Sequence, residues 1–266
     1  MGASGISLRN DVFETYLSVK FELLKHLKRR RLLIIAALAI IVPLIFYVRV
    51  PDTASQFADE VLTFANLLIV VSAAMFAGDA VCSEFERKTN LLLFPTPQRR
   101  GTIFAGKYLA AVIATFVVVV LYYIVLTLQT AQLFGWGAIP GELAKSFLVA
   151  MIYSLAAVSV VYFFSAALKR SISSTIVGFL SLIMVLPVIS FILQRVNQEP
   201  WFIITYSAGL ITNVLGVSGN PLFEPGNGQS SLTEFVPKFG VGIAVMIAYA
   251  VVFLVSGMMI ASRRED

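Results

Sequence analysis

The chain swings between long apolar runs and short charged breaks. Charge-free runs occupy residues 32–47, 61–77, 109–128, 146–168, 172–193 and 239–261. Each is continuous instead of alternating, so each reads as helix and not as a barrel strand. A helix needs about 17–25 residues to cross a bilayer, and the runs fall at or near that length, the first being the shortest. With their polar ends they predict six transmembrane helices, at 32–50, 61–82, 107–130, 146–168, 172–193 and 239–261. The expected fold class is an all-α polytopic membrane protein with a single transmembrane domain over 1–266. Pro43 and Pro187 fall inside the first and fifth spans, where a missing amide and the ring predict kinks.

The segments between the runs predict three further elements. Residues 8–31 form an amphipathic interface helix. Val12, Phe13, Tyr16, Leu17, Val19, Leu23, Leu24 and Leu27 recur at helical spacing, and Arg9, Glu14, Ser18, Glu22 and Lys25 line the other side. Asp11 with Glu14 resembles a capping box at its start. His26 stands alone in it, which predicts a surface or interface residue and not a ligand. Residues 194–238 form a long loop. Its first part, 201–217, is apolar but broken by Gly209 and Gly216, and predicts a re-entrant or surface-lying helical element. Residues 83–106 form a charged hairpin between the second and third spans.

Composition agrees with the membrane reading. Of the 266 residues 58% are hydrophobic and 13% charged, against about 25% charged in soluble domains. Sixteen Lys and Arg lie on the side of the termini and four on the other, which predicts both termini in the cytoplasm of a plasma-membrane protein. The net charge of +5 therefore reads as orientation, and no nucleic-acid partner is expected. No secretory signal is expected, because the first apolar run begins only after about thirty residues. The one cysteine, Cys82, predicts a small buried hydrophobe and allows no internal disulfide.

Candidate chemistry is sparse. One His, one Cys and charge-free runs argue against hydrolytic or metal chemistry, so neither an enzyme nor a metal site is expected. Asp79, at the mouth of the second span, is the nearest ionisable group of the kind that coupled carriers use. Asn66, Thr115, Thr127, Gln129 and Gln132 predict bonds between helices, with a place on a translocation path as the other role. The substrate-binding residues are not legible. The stretch GTIFAGKY, from Gly101 to Tyr108, matches a phosphate-binding loop until its last position. That position requires Ser or Thr for Mg²⁺ and holds Tyr108, so no ATP site is expected in this chain.

The hairpin carries the most information. Ser83 to Phe94 predicts a helix, charged first and then apolar through Leu91, Leu92, Leu93 and Phe94. Pro95 and Pro97 end it, 98–101 makes a turn, and Thr102 restarts a helix running through Lys107. A linker between two helices needs about four polar residues. A stiff segment with an apolar ridge predicts a docking surface, or a ridge resting on lipid with its bases on phosphates.

This segment resembles the signature loop of ABC-2 type ABC transporter permeases: an acid, then E-R-G-T, a leucine run, a proline, an arginine, and G-K opening the third helix. Glu84, Glu86, Arg87, Thr89, Leu92, Leu93, Pro97, Arg100, Gly106 and Lys107 fall on those positions. Lys88 stands in place of the glycine, Asn90 in place of an apolar residue, and Pro95 is extra.

The resemblance implies a transmembrane permease subunit, an exporter, without catalytic residues of its own. ATP and Mg would be bound by two copies of a separate ABC ATPase subunit, and a second permease copy, as a homodimer, or a sister permease would complete the pair. The hairpin would seat in the ATPase as a coupling helix. Leu91, Leu92 and Phe94 would supply the buried contact, and Glu84, Glu86, Arg87 and Thr89 the orientation. Pro97, Arg100 and Lys107 would shape and brace its base. Two rival roles stay open. The chain could pass ATP-driven motion to an extracellular partner through 194–238, or act as an ATP-independent carrier or channel. Charge-free spans lean toward a lipid-like or amphipathic cargo, and membrane lipid is a partner in every reading.

Overall fold

The computed structural model describes residues 2–48, 51–86, 100–216 and 235–263. Its described residues are mainly helical, with no strand among them. The elements are α1 (Gly2–Lys28), α2 (Arg31–Ile45), α3 (Ala54–Ala77), α4 (Cys82–Glu86), α5 (Arg100–Phe134), α6 (Leu143–Ala167), α7 (Ser171–Leu180), α8 (Leu186–Arg195), α9 (Ile204–Ser207), α10 (Leu210–Asn213) and α11 (Phe239–Arg263). Six stretches are long and apolar enough to cross a membrane: Arg31–Val48, Ala54–Glu84, Gly101–Phe134, Leu143–Ala167, Ser171–Arg195 and Phe239–Arg263. The protein is membrane-embedded and multi-pass.

Burial separates the spans into two classes. In α3 the most apolar stretch is 67% buried, whereas in α2 it is 17%. Helices α3, α5 and α6 form the core, and α2, α7–α8 and α11 surround it. The outer helices leave Leu33, Ile34 and Ile41, then Ile176, Met184 and Phe191, then Ile247, Val251 and Val255 exposed. Apolar surface of this extent costs about 25 cal/mol per Å² in water, so its environment is lipid or another apolar surface. The core is joined mainly by tyrosines. Tyr108 and Ser159 hydroxyls lie 2.9 Å apart, Tyr123 and Ser146 2.8 Å apart, and Tyr162 donates to the Phe104 carbonyl at 3.2 Å. Phenols place a donor at the tip of a long apolar body, which suits contacts between helices in hydrocarbon.

Several boundaries differ from the sequence reading. Helix α3 starts at Ala54, not 61, because Thr53 caps it through the Gln56 amide at 3.3 Å. Asp59 and Glu60 thus lie within the helix, and Asp59 is buried. Helix α5 starts at Arg100, so 100–101 is helix and not turn, and it runs on to Phe134. Helix α1 starts at Gly2, which puts Asp11 and Glu14 in its interior, where no cap is needed. Pro187 does not simply kink its span. A π-helical turn over Ser181–Val185 precedes it, with the Leu186 amide reaching the Ser181 carbonyl. The wider turn absorbs the donor that proline lacks.

The expected interhelical bonds hold for one of the five polar residues. Gln132 accepts from Tyr47 at 2.5 Å, but Thr115 and Thr127 bond back to their own helix. Both amide atoms of Gln129 and Oδ1 of Asn66 are buried without a partner. In the 201–217 region, α9 and α10 are two short turns packed against α3, α6, α8 and α11. The Ser146 hydroxyl donates to the Ile211 carbonyl at 2.6 Å, which fixes α10 on the start of α6.

Candidate functional site at the root of the 87–99 segment

Residues Arg87, Thr89, Leu91, Leu92, Leu93, Phe94 and Pro97 lie outside the described residues. The two roots of their segment, α4 and the start of α5, are described, and each is anchored by polar contacts. On the first root, α3 breaks at Gly78 and the chain turns into α4. The Ser165 hydroxyl of α6 accepts from the Val81 amide at 3.0 Å and from the Cys82 amide at 3.3 Å. The Cys82 thiol is fully buried against the carbonyls of Ser165 and Leu168. Those amides sit at a helix start, where no helical carbonyl can satisfy them. Glu86 then reaches α7, and its Oε2 accepts from the Ser171 amide at 2.9 Å. A carboxylate at a helix N-terminus is favoured by the orphan amides and the helix dipole.

The second root is Gly106-Lys107. A Cβ at Gly106 would lie 2.5 Å from Ser18 Cβ, so this glycine lets α1 approach α5. The Ser18 hydroxyl donates to the Ile103 carbonyl at 3.3 Å. Lys107 is 4% exposed, a burial that requires paired charge. Its ammonium donates to Glu84 of the first root and lies 3.9 Å from Glu22 of α1. Both ends of the segment are therefore tied together through one lysine.

A family model described as a protein of unknown function, DUF2705, matches residues 32–265. The chain belongs to that family. No curated protein matches it. The match takes in both roots of this DUF2705 protein and leaves α1 outside.

Next to the roots lies a charged layer that holds α1 and α2 on α3. Asp79 accepts from Arg31 at 2.8 Å and has Arg29 at 3.6 Å. Arg31 also donates to the Met75 carbonyl at 3.2 Å. The turn between α1 and α2 passes through Arg30 at φ 58°, a left-handed conformation. This turn directs Arg29 and Arg31 to the same acid.

Of the two places expected for His26, at the surface or at an interface, the surface is excluded by its burial. It is 1% exposed, edge-on to Phe76 with ring centroids 5.1 Å apart, and neither ring nitrogen has a partner. Burial pushes its pKa below the ordinary imidazole value, while Glu22 and Asp79 draw it up and Lys25 and Arg31 push it further down. The apolar side of α1 faces away from the bundle, with Phe13, Tyr16 and Phe21 exposed, and Glu22 and His26 face in. In water the inward face would be the apolar one. In a membrane-embedded chain the outward face can be apolar as well.

Of the site residues named from sequence, the described ones divide clearly. Lys107 braces the segment base. Glu84 and Glu86 contact Lys107 and Ser171 of their own chain. Arg100 opens α5. Ser18, Glu22, Ser165 and Ser171 were not legible as parts of the site, because each is a common residue whose role depends on a contact over 60 residues away. No group of three or more His, Cys, Asp or Glu is placed to hold a metal among the described residues.

Proposed function

We propose that this chain is the permease subunit of an ABC-2 type ABC transporter, working as an exporter in the plasma membrane with both termini cytoplasmic. ATP and Mg bind a separate ABC ATPase, and this chain supplies no catalytic residue. Two permease copies and two ATPases make the working unit. The 87–99 segment is the coupling element, with Leu91, Leu92 and Phe94 in the ATPase groove and Arg87 orienting it.

One observation supports this reading above the others. The described residues that flank the 87–99 segment on both sides are fastened to α1, α5, α6 and α7. Force applied to such a segment reaches four helices at once, whereas an idle linker needs no anchors. Glu84 and Glu86 become internal tethers in this scheme, and docking falls to the residues between the roots. A second reading, motion passed to an extracellular partner, has the packed α9–α10 pair at the opposite face behind it.

Co-purification tests the proposal. With the cognate ATPase co-expressed, Leu92→Asp and Arg87→Glu are each expected to abolish its recovery with the membrane chain. Lys107→Met is expected to keep recovery and uncouple ATP turnover from transport. Full ATPase recovery with both docking variants overturns the assignment.

A further inference from the structure

A cavity of about 550 Å³ opens between the ends of α6 and α11, on the same face as the charged layer. Its wall on α11 is Ser256, Met259, Ile260 and Arg263, spaced as a single stripe of one helix. Its wall on α6 is Ala166 and Ala167, with Lys169 just beyond the helix end. The groove exists for a packing reason. At Gly257 a Cβ would lie 3.0 Å from the Tyr162 ring, so the two helices touch closely there. One turn further on, α6 presents alanines and then stops, while α11 continues to Arg263. The gap keeps an apolar floor and gains two cations at its mouth. Lys169 and Arg263 are exposed and have no ion pair among the described residues.

We propose that this groove binds an anionic phospholipid, with its phosphate between Lys169 and Arg263 and one acyl chain along Met259 and Ile260. Charge complementarity at the mouth and the apolar lining of the open groove select this occupant. A zwitterionic lipid would fill the floor equally well but gain less at the mouth, and a soluble anion would gain nothing from the floor. Each basic residue near a membrane surface favours an anionic lipid by about fivefold. The bases lie where the spans end, at the level of lipid headgroups, and Ser256 adds a hydroxyl within the wall. The site depends only on the chain being membrane-embedded, so it stands or falls independently of the transport proposal.

Native mass spectrometry of the purified full chain, titrated with phosphatidylglycerol or phosphatidylcholine, tests it. Wild type is expected to retain phosphatidylglycerol at least tenfold more strongly. In Lys169→Gln/Arg263→Gln this preference should fall to about parity, while phosphatidylcholine binding stays. Met259→Trp fills the floor and should weaken both lipids. Arg170→Gln removes a neighbouring exposed cation outside the groove and should leave the preference intact. Soluble glycerol phosphate should not displace the lipid. The proposal is overturned if the double variant keeps the preference, if Arg170→Gln loses it equally, or if glycerol phosphate competes. Thermal melts of each variant establish that it is folded.

Discussion

His26 shows what a single residue does to this protein. Its ring is buried between α1 and α3, facing Glu22 and Lys25 of its own helix, Arg31 of α2, Asp79 at the end of α3, and the Phe76 edge. With its pKa below the ordinary value, the folded chain binds fewer protons there than the unfolded one. The stability of the neutral ring is thus complete above the unfolded value of 6.5 and is lost as pH falls below it. We predict that the melting temperature drops between pH 7 and 5.5 and that His26→Leu removes much of this drop. The same variant should raise stability at pH 7 by about 1 kcal/mol, since two unpartnered buried nitrogens disappear. Equal acid sensitivity in both proteins would refute this. Helical spacing places His26 on the polar side of α1, but spacing alone does not say which side of a helix meets the bundle.

Among elements, the break between α3 and α4 is the informative one. The apolar run over 61–77 reads as one span carried through residue 82, and no proline marks an interruption. The chain nevertheless breaks at Gly78, where a Cβ would lie 2.4 Å from the Thr175 hydroxyl of α7. Close passage of α7 and the Ser165 hydroxyl together specify the break. Ser165→Ala would leave two buried amides without an acceptor, costing about 1–3 kcal/mol. The expected result is a lower melting temperature and faster maleimide labelling of Cys82, which is fully buried in the native protein. Unchanged labelling would show that the break does not depend on this hydroxyl. By contrast, the spans α6, α7–α8 and α11 were legible to within a few residues. Their ends coincide with charge, as at Lys169, Arg170, Arg195, Lys238 and Arg263.

At the scale of the molecule, the basic residues decide how the bundle sits in the proposed transporter. The order of spans in the sequence assigns sixteen of twenty Lys and Arg to the side of the termini, and positive residues favour the cytoplasm. In a Cys82→Ser background, Asn197→Cys should react with an impermeant maleimide on intact cells. Lys169→Cys should react only after permeabilisation. The reverse pattern would invert the topology and place the 87–99 segment beyond the reach of any cytosolic ATPase.

The number and type of spans, and the place of the charged segment, follow from local composition. A bilayer requires runs of fixed length, and any interruption must be polar. Which spans form the core, which face of α1 turns inward, and which serines and acids hold the roots of that segment follow only from the packed bundle. In hydrocarbon every helix is apolar all round, so hydrophobicity no longer distinguishes inside from outside. Close glycines, tyrosine hydroxyls and paired charges take over that task, and each depends on a partner far away in the chain.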